Sequence, residues 1–314
     1  MTQIKASTLT NSYTKLLQNL FNKGTLKQSD SSNPTARDKT LELQGVTIEI
    51  NDPTTRFITE PVRDFSKSYF ANELLWYMSG EYNVNKVPPM KNVWEAYTDE
   101  EGNVRSNYGA KIFHEEVPTG HDPNASAGKH KQTQWELLNE LITKNPDTRR
   151  AVGHINLFGR DSPHMINGKD FPCNVNFQLL KEPDTNELNM HIYQRSCDAV
   201  NGYCYDIPWF ATLQEMFARE QDMEVGRLVH HTGSMHIYGN SFDKLAGMDY
   251  KAFEPAQEQL AAAMTQEDVD NLIENNFKAL EETPWGREVL EHADDFWTDT
   301  YTSKPSPAYR RQKQ

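Results

Sequence analysis

The sequence predicts an α+β domain, and three observations carry that expectation. Strand-like and amphipathic helical runs are mixed along the chain without the regular βαβα alternation of a parallel sheet. Hydrophobic residues make up 37% and aromatic residues 11% of the 314 positions, enough for a large core. No Gly/Ser linker, internal repeat or low-complexity tract divides the chain, so one domain over 1–314 is expected, with 1–36 as an N-terminal extension and 246–314 as a helical C-terminal part.

The elements follow in order. "YFANELLWYMSG" sets Phe70, Leu74, Leu75 and Met78 at helical spacing, with Glu73 beside the apolar stripe and Gly80 as the stop. "EEGNVRSNYGAKI" is rich in turn formers. "QTQWELLNELITKNP" reads as an amphipathic helix that ends before Pro146, because the residue preceding proline disfavours helix. Strands are expected in "RRAVGHINLF", "CNVNFQLLK" and "ELNMHIYQRS", the last two joined by the turn signal "EPDTNE". "WFATLQEMFARE" is a helix, "GSMHIYGN" a strand, and 255–282 a helical, acidic, solvated face.

Composition excludes several classes. A formal charge of −13 opposes broad binding to nucleic acid, so an anionic ligand has to meet a local cluster of Arg and Lys. No apolar run approaches the ~20 residues that cross a bilayer, and "MTQIKASTLTNSY" has no continuous apolar stretch; a cytoplasmic protein without membrane contact is expected. Cys173, Cys197 and Cys204 form neither an even set nor a CxxC pair, which argues against a disulfide framework. His230, His231 and His236 lack acidic or cysteine ligands spaced beside them, so no metal is expected.

Several residues carry chemistry by type and place. Cys173 follows a proline at the mouth of a strand; such a cysteine is a buried hydrophobe unless something stabilises its thiolate. Arg195 with Ser196 offers a fork of donors beside a hydroxyl, suited to a phosphate and able to lower a nearby thiol pKa, and Arg149 with Arg150 is a second donor pair. His236 and Tyr238 share one strand face, where their polar tips suit sugar hydroxyls. Trp94 and Tyr97 either stack on a flat ring or pack in the core. Asp206, in "GYCYDIPWF", reads as a cap for the helix that follows.

The blocks "NELLWYMSG", "NPDTRR", "DFPCNVNFQ", "YQRSCDAVNGYCYDIPWF" and "GSMHIYGNS" resemble, in order and approximate spacing, those of the thymidylate synthase superfamily. The resemblance covers most of 37–245, and its block around "QRSCD" is highly specific. It implies a homodimer with a mixed β-sheet at the interface covered by helices, in which a nucleoside monophosphate and 5,10-methylenetetrahydrofolate share one pocket. Position by position, Cys173 falls on the nucleophile, Glu73 on the glutamate that organises proton transfer through water, and Tyr108 on the tyrosine near the reacting base. Arg195 and Ser196 match phosphate ligands, Arg149 and Arg150 the arginines supplied by the partner subunit, and Lys39 a phosphate-loop position where arginine is usual. His236 and Tyr238 match the ribose-binding pair; Trp94, Tyr97, Asp198, Gly202 and Tyr205 fall where the folate site is lined, Asp198 also standing with the substrate ligands.

Such residues suit one chemistry. A thiolate adding at carbon 6 of a pyrimidine turns carbon 5 into a nucleophile for a one-carbon unit, and a carboxyl group within reach helps remove the carbon 5 proton. The family has asparagine at the position of Asp206, where an amide accepts from N3–H and donates to O4 of uracil. A protonated aspartic acid instead donates to N3 of cytosine and accepts from its 4-amino group. This exchange, Lys39 in "DKT" and the absence of histidine after Cys173 look like the viral deoxycytidylate hydroxymethylase branch. That branch implies dCMP as substrate, water as the final acceptor, 5-hydroxymethyl-dCMP as product and, for a viral protein, the host cytoplasm. The tail "SPAYRRQKQ" is polar and basic where thymidylate synthases end in an apolar tail that excludes water. A C5-methyltransferase of dCMP or dUMP using hydride from folate, and a catalytically idle nucleotide-binding homologue, stand as alternatives.

Overall fold

The computed structural model describes residues 1–28, 39–60, 63–118, 131–162, 169–242, 245, 262–301 and 307. Nine strands and eight α-helices can be assigned among them. The strands are β1 (Thr2–Ala6), β2 (Thr25–Gln28), β3 (Lys39–Ile50), β4 (Glu116–Pro118), β5 (Lys131–Thr133), β6 (Val152–His154), β7 (Asn174–Lys181), β8 (Glu187–Asp198) and β9 (Glu224–Tyr238). The helices are α1 (Leu9–Lys23), α2 (Lys67–Ser79), α3 (Pro88–Trp94), α4 (Gln134–Lys144), α5 (Phe158–Asp161), α6 (Tyr203–Glu220), α7 (Gln266–Glu274) and α8 (Pro284–Leu290).

Seven strands form one mixed sheet in the order β1-β3-β9-β8-β7-β6, with β2 also paired to β3. Pairs β1/β3 and β8/β9 are parallel and the others antiparallel, which bears out the α+β expectation. The two strands β7 and β8 expected from "CNVNFQLLK" and "ELNMHIYQRS" are present and antiparallel. Along β8, Met190, Ile192 and Gln194 point into the core while Tyr193 and Arg195 are exposed, the alternation of a sheet covered on one face. Helices α1 and α6 pack on the covered face, and one continuous core joins them to α2.

Several expectations need correction. Helix α2 stops at Gly80 in the left-handed conformation, as expected, but every residue from Phe70 to Ser79 is buried, so it has no solvated side. The strand expected over 149–158 shrinks to β6: the chain turns into α5 at Phe158, and the β6 edge is closed by the Gln134 amide, which accepts from His154 N (2.7 Å) and donates to its carbonyl (2.8 Å). The segment 255–282 is solvated on one side only where it is described, from 262 onward: Glu267, Asp270, Glu281 and Glu282 are exposed, but Val269, Leu272, Phe277 and Leu280 are buried. Strand β3 was not anticipated, because its buried positions change phase at Gly45 (φ 65°), from Leu43 to Val46, Ile48 and Ile50. No described helix is long and apolar enough to cross a membrane.

Candidate active site

Five of the sequence-picked side chains, Cys173, Arg195, Glu73, Tyr108 and Asp206, converge where the N-terminal end of β7, the C-terminal half of β8, α2, the turn at Tyr108 and the start of α6 meet. Cys173 precedes β7, and the sheet fixes it against Arg195: Arg195 N donates to the Cys173 carbonyl (2.9 Å). The guanidinium then folds back on the same loop, donating to Pro172 O (3.2 Å), Phe171 O (2.7 Å) and Cys173 Sγ (3.5 Å) while covering the Phe171 ring. Arg195 thus favours the thiolate, but burial outweighs it, and with Asp206, Asp170 and Asp198 nearby the thiol is pushed up to about 11. The Arg195 contribution has the expected sign, but the net shift is upward, so the free site favours the neutral thiol.

Glu73 sits inside α2, where Tyr69 Oη donates to its Oε1 (2.6 Å). Burial without a cation pushes its carboxyl up to about 8, with the Asp206 charge adding to the shift. Tyr108 is buried and stacked on Tyr77, which packs on Trp209; burial raises its pKa well above the usual value, and the charges of Asp206 and Cys173 push the same way. Asp170, absent from the sequence-picked set, holds the Tyr108 turn to the Cys173 loop by accepting from Ser106 N (2.7 Å) and Ser106 Oγ (2.6 Å).

Asp206 is not the cap of its helix. Helix α6 begins at Tyr203 and runs through Pro208; its cap position is Gly202, and Asp206 lies in the first turn. Its Oδ2 instead accepts from Gln194 Nε2 (2.8 Å). Burial pushes the Asp206 carboxyl up to about 6, against the stabilising amides of Gln194 and Asn174. Gln194 is held in turn by His230, whose Nε2 lies 2.7 Å from Oε1. Burial pushes His230 down to about 3, so the ring is neutral and spends its N–H on Gln194, leaving the Gln194 NH₂ for Asp206. A glutamine at an inward position of an apolar strand is the one sequence signal for this relay. Asn174, buried beside Asp206 and Tyr108, was also missed.

The remaining candidates form four groups. His236 and Tyr238 share one face of β9 with ring centroids 4.8 Å apart, and the register places Thr40 opposite Tyr238, so exposed Lys39 stands at the same strand end. Half-buried Ser196 pairs with Ser234 on the same sheet. Aromatic rings border Glu73: Tyr69 packs edge-on to Tyr205 (4.5 Å), Tyr205 stacks on Phe65, and Trp94 lies between Trp76 and Tyr97. The Asp198 carboxylate accepts from Val200 N (2.8 Å) and Asn201 Nδ2 (2.9 Å), closing the turn into α6; a Cβ on Gly202 would come within 3.0 Å of Asp198 O and 3.7 Å of Asp206 Oδ2. Arg149 and Arg150 stand apart, exposed in the loop between α4 and β6 on a cleft shared with Leu141, Lys144 and Asp147. Cys197 and Cys204 are buried and unpaired. Among the described residues no cluster of three His, Cys, Asp or Glu is arranged to hold a metal ion.

The family model for thymidylate synthase matches residues 11–284. The thymidylate synthase of Corynebacterium aurimucosum is 29% identical over 190 residues, covering 59% of this chain and 65% of its own length. That of Buchnera aphidicola subsp. Acyrthosiphon pisum is 30% identical over 190 residues, covering 58% and 65%. That of Haloferax volcanii is 25% identical over 260 residues, covering 78% and 72%. The chain thus spans just under two thirds of the length of the first two relatives.

Proposed function

The chain belongs to the thymidylate synthase family, and on that premise we propose that it transfers a one-carbon unit to carbon 5 of a pyrimidine nucleotide, that the pyrimidine is the cytosine of dCMP, and that the product is 5-hydroxymethyl-dCMP. The observation that carries the choice of base is the Asp206 carboxyl: half-buried, held at Oδ2 by Gln194, and easily protonated. With Oδ2 committed as an acceptor, a protonated Oδ1 donates to cytosine N3, while the carboxyl still has acceptor capacity for the 4-amino group. Facing uracil, the ionised form would meet O4 with like charge.

The chain's own groups supply the proton and electron movements. Cys173 loses its proton and Sγ adds to carbon 6, while Asp206 shares its proton with N3, so the ring takes the added electron pair without carrying full charge. Carbon 5 then becomes nucleophilic. When bound, 5,10-methylenetetrahydrofolate supplies a carbon at the oxidation level of formaldehyde. The residues that fit it are Trp94, Tyr97, Asp198, Gly202 and Tyr205: aromatic faces beside Glu73, and a glycine whose missing Cβ keeps the chain close to Asp198. Glu73 takes the carbon 5 proton, directly or through one water. With carbon 5 bonded to that one-carbon unit, loss of the carbon 5 proton breaks the bond from the unit to the folate nitrogen, releasing tetrahydrofolate and leaving a methylene on carbon 5; water adds to it, and expulsion of Cys173 as thiolate restores the aromatic ring. Arg195, Ser196 and Lys39, with Arg149 and Arg150 of a partner subunit in a homodimer, hold the phosphate, and His236 and Tyr238 hold the sugar; binding a non-reacting group in this way orients the ring.

Hydroxymethyl release rather than methyl rests on the features shared with the deoxycytidylate hydroxymethylases, Lys39, Asn174 and Asp206. The segment 306–314 lies outside the described residues, apart from Pro307. The purified protein incubated with dCMP and 5,10-methylenetetrahydrofolate should yield a nucleotide heavier by CH₂OH, with no absorbance rise from dihydrofolate. Dihydrofolate formed in step with a CH₃ product would sink the hydroxymethylase reading, and no product from dCMP or dUMP would leave an idle homologue. Asp206→Asn should shift preference toward dUMP by about 10²-fold or more.

A further inference from the structure

Asn174 is completely buried, yet neither its Oδ1 nor its Nδ2 has a hydrogen-bond partner among the described residues. Buried amides are nearly always satisfied, so an orphan with both ends free needs an explanation. Its place supplies one. Asn174 follows Cys173 directly and is the cross-strand partner of Gln194, the residue that binds Asp206. Its side chain also lies close enough to Asp206 and Tyr108 to favour the ionised form of both, although it makes no well-directed bond to either. The free amide therefore fronts the same small volume as the nucleophile and the base-reading carboxyl.

We propose that Asn174 is a second reader of the pyrimidine, its side-chain amide taking the substituent at carbon 4. The assignment of atoms rests on the cytosine reading: Asp206 accepts the amino N–H that lies toward N3, and Asn174 Oδ1 accepts the other. The two readers differ in kind. Asp206 is held by Gln194, itself held by His230, so its orientation is fixed before a ligand arrives. The Asn174 amide neighbours Asp206 and Tyr108 but makes no well-directed bond to either, so the same side chain turned over donates to a 4-oxo group. Asn174 thus adds affinity for any hydrogen-bonding substituent at carbon 4, and the choice between bases stays with Asp206.

The test is a binding cycle on the full chain carrying Cys173→Ser, so that no adduct forms. Titration calorimetry compares dCMP, dUMP and the deoxynucleotide whose carbon 4 carries only hydrogen, with Asn174 intact, as Asn174→Leu and as Asn174→Ala. The preference for dCMP over the 4-hydrogen nucleotide should fall about 10-fold in both variants, with binding of the 4-hydrogen nucleotide changed by less than about 3-fold. Melting of the free Asn174→Leu protein should not decrease, since leucine replaces an unsatisfied amide with an apolar group of similar shape. An unchanged preference, or equal losses for both nucleotides, overturns the proposal; should the leucine variant not fold, the alanine variant decides. If the 10-fold coupling appears with dUMP while dCMP fails to bind, Asn174 keeps its role and the cytosine reading falls instead.

Discussion

The chain buries carboxylates in two regions and treats them in opposite ways. At the seam where the C-terminal segment meets α6, Glu215 is ion-paired with Arg56 (2.5 Å), both side chains at most 3% exposed. Glu215 also accepts from Met264 N (2.9 Å), and Arg56 lies over the Trp285 ring. In the active site Glu73 is buried and Asp206 half-buried, and both face only neutral donors, Tyr69 and Gln194. A buried charge without a counter-charge is expensive, and the site meets that cost by raising both pKa values until the acids titrate near neutrality. The difference teaches where to look for chemistry: the paired carboxylate holds the fold, and the unpaired ones are those that the proposed function uses to move protons.

Replacing Glu73 should therefore separate activity from stability most strongly. Glu73→Gln should lower turnover by about 10³-fold, through loss of the proton acceptor, while stabilising the protein at alkaline pH. The sign follows from the raised pKa. Between the unfolded value of 4.5 and the folded value of about 8, the native state holds a proton that the unfolded state releases, so stability falls as pH rises through that window. Glutamine removes this loss, and calorimetric melting should show a gain for the variant at about pH 8.5 that shrinks toward pH 5. A variant less stable than the parent at both pH values would mean that the Glu73 carboxylate is compensated after all.

Glu215→Gln should do the reverse. It strands the Arg56 guanidinium in the core, for a loss of about 3–5 kcal/mol in chemical denaturation. dCMP binding measured well below the melting point should stay within about 3-fold of the parent, because none of the groups assigned to the nucleotide touches this pair. A parallel loss of dCMP affinity would erase the distinction between the two regions.

The two regions also differ in how far the sequence exposes them. Cys173, Glu73, Asp206, Arg195 and Tyr108 stand in specific motifs, so the side chains that gather around the thiol were legible without coordinates. The α+β class and strands β7 and β8 were legible from period and turn signals. What escaped is whatever depends on register between strands or on the far side of a helix. Gln194 reaches Asp206, and Asn174 becomes its neighbour, only because β7 and β8 pair as they do. Asp170 matters through a turn more than sixty positions away, at Ser106. The Arg56–Glu215 pair likewise joins residues distant in sequence, and nothing local to either names the other. Strand β3 escaped for a local reason, the change of phase at Gly45.

The subtlest contrast between the regions is a proton count. If Asp206 reads cytosine as an acid, dCMP binding must carry a proton into the site whenever the free carboxyl is ionised. With a free-site pKa of about 6, uptake should be small near pH 5 and approach one proton per site near about pH 8. Calorimetric titration of dCMP in two buffers of different ionisation enthalpy measures it directly. Because Glu73 titrates in the same range, Asp206→Asn serves as the control: the alkaline uptake should vanish in that variant, whereas Glu215→Gln should keep it. Binding of dCMP at pH 8 with heats independent of buffer would mean that the carboxyl meets the base as an anion, and the cytosine reading would lose the observation on which it stands.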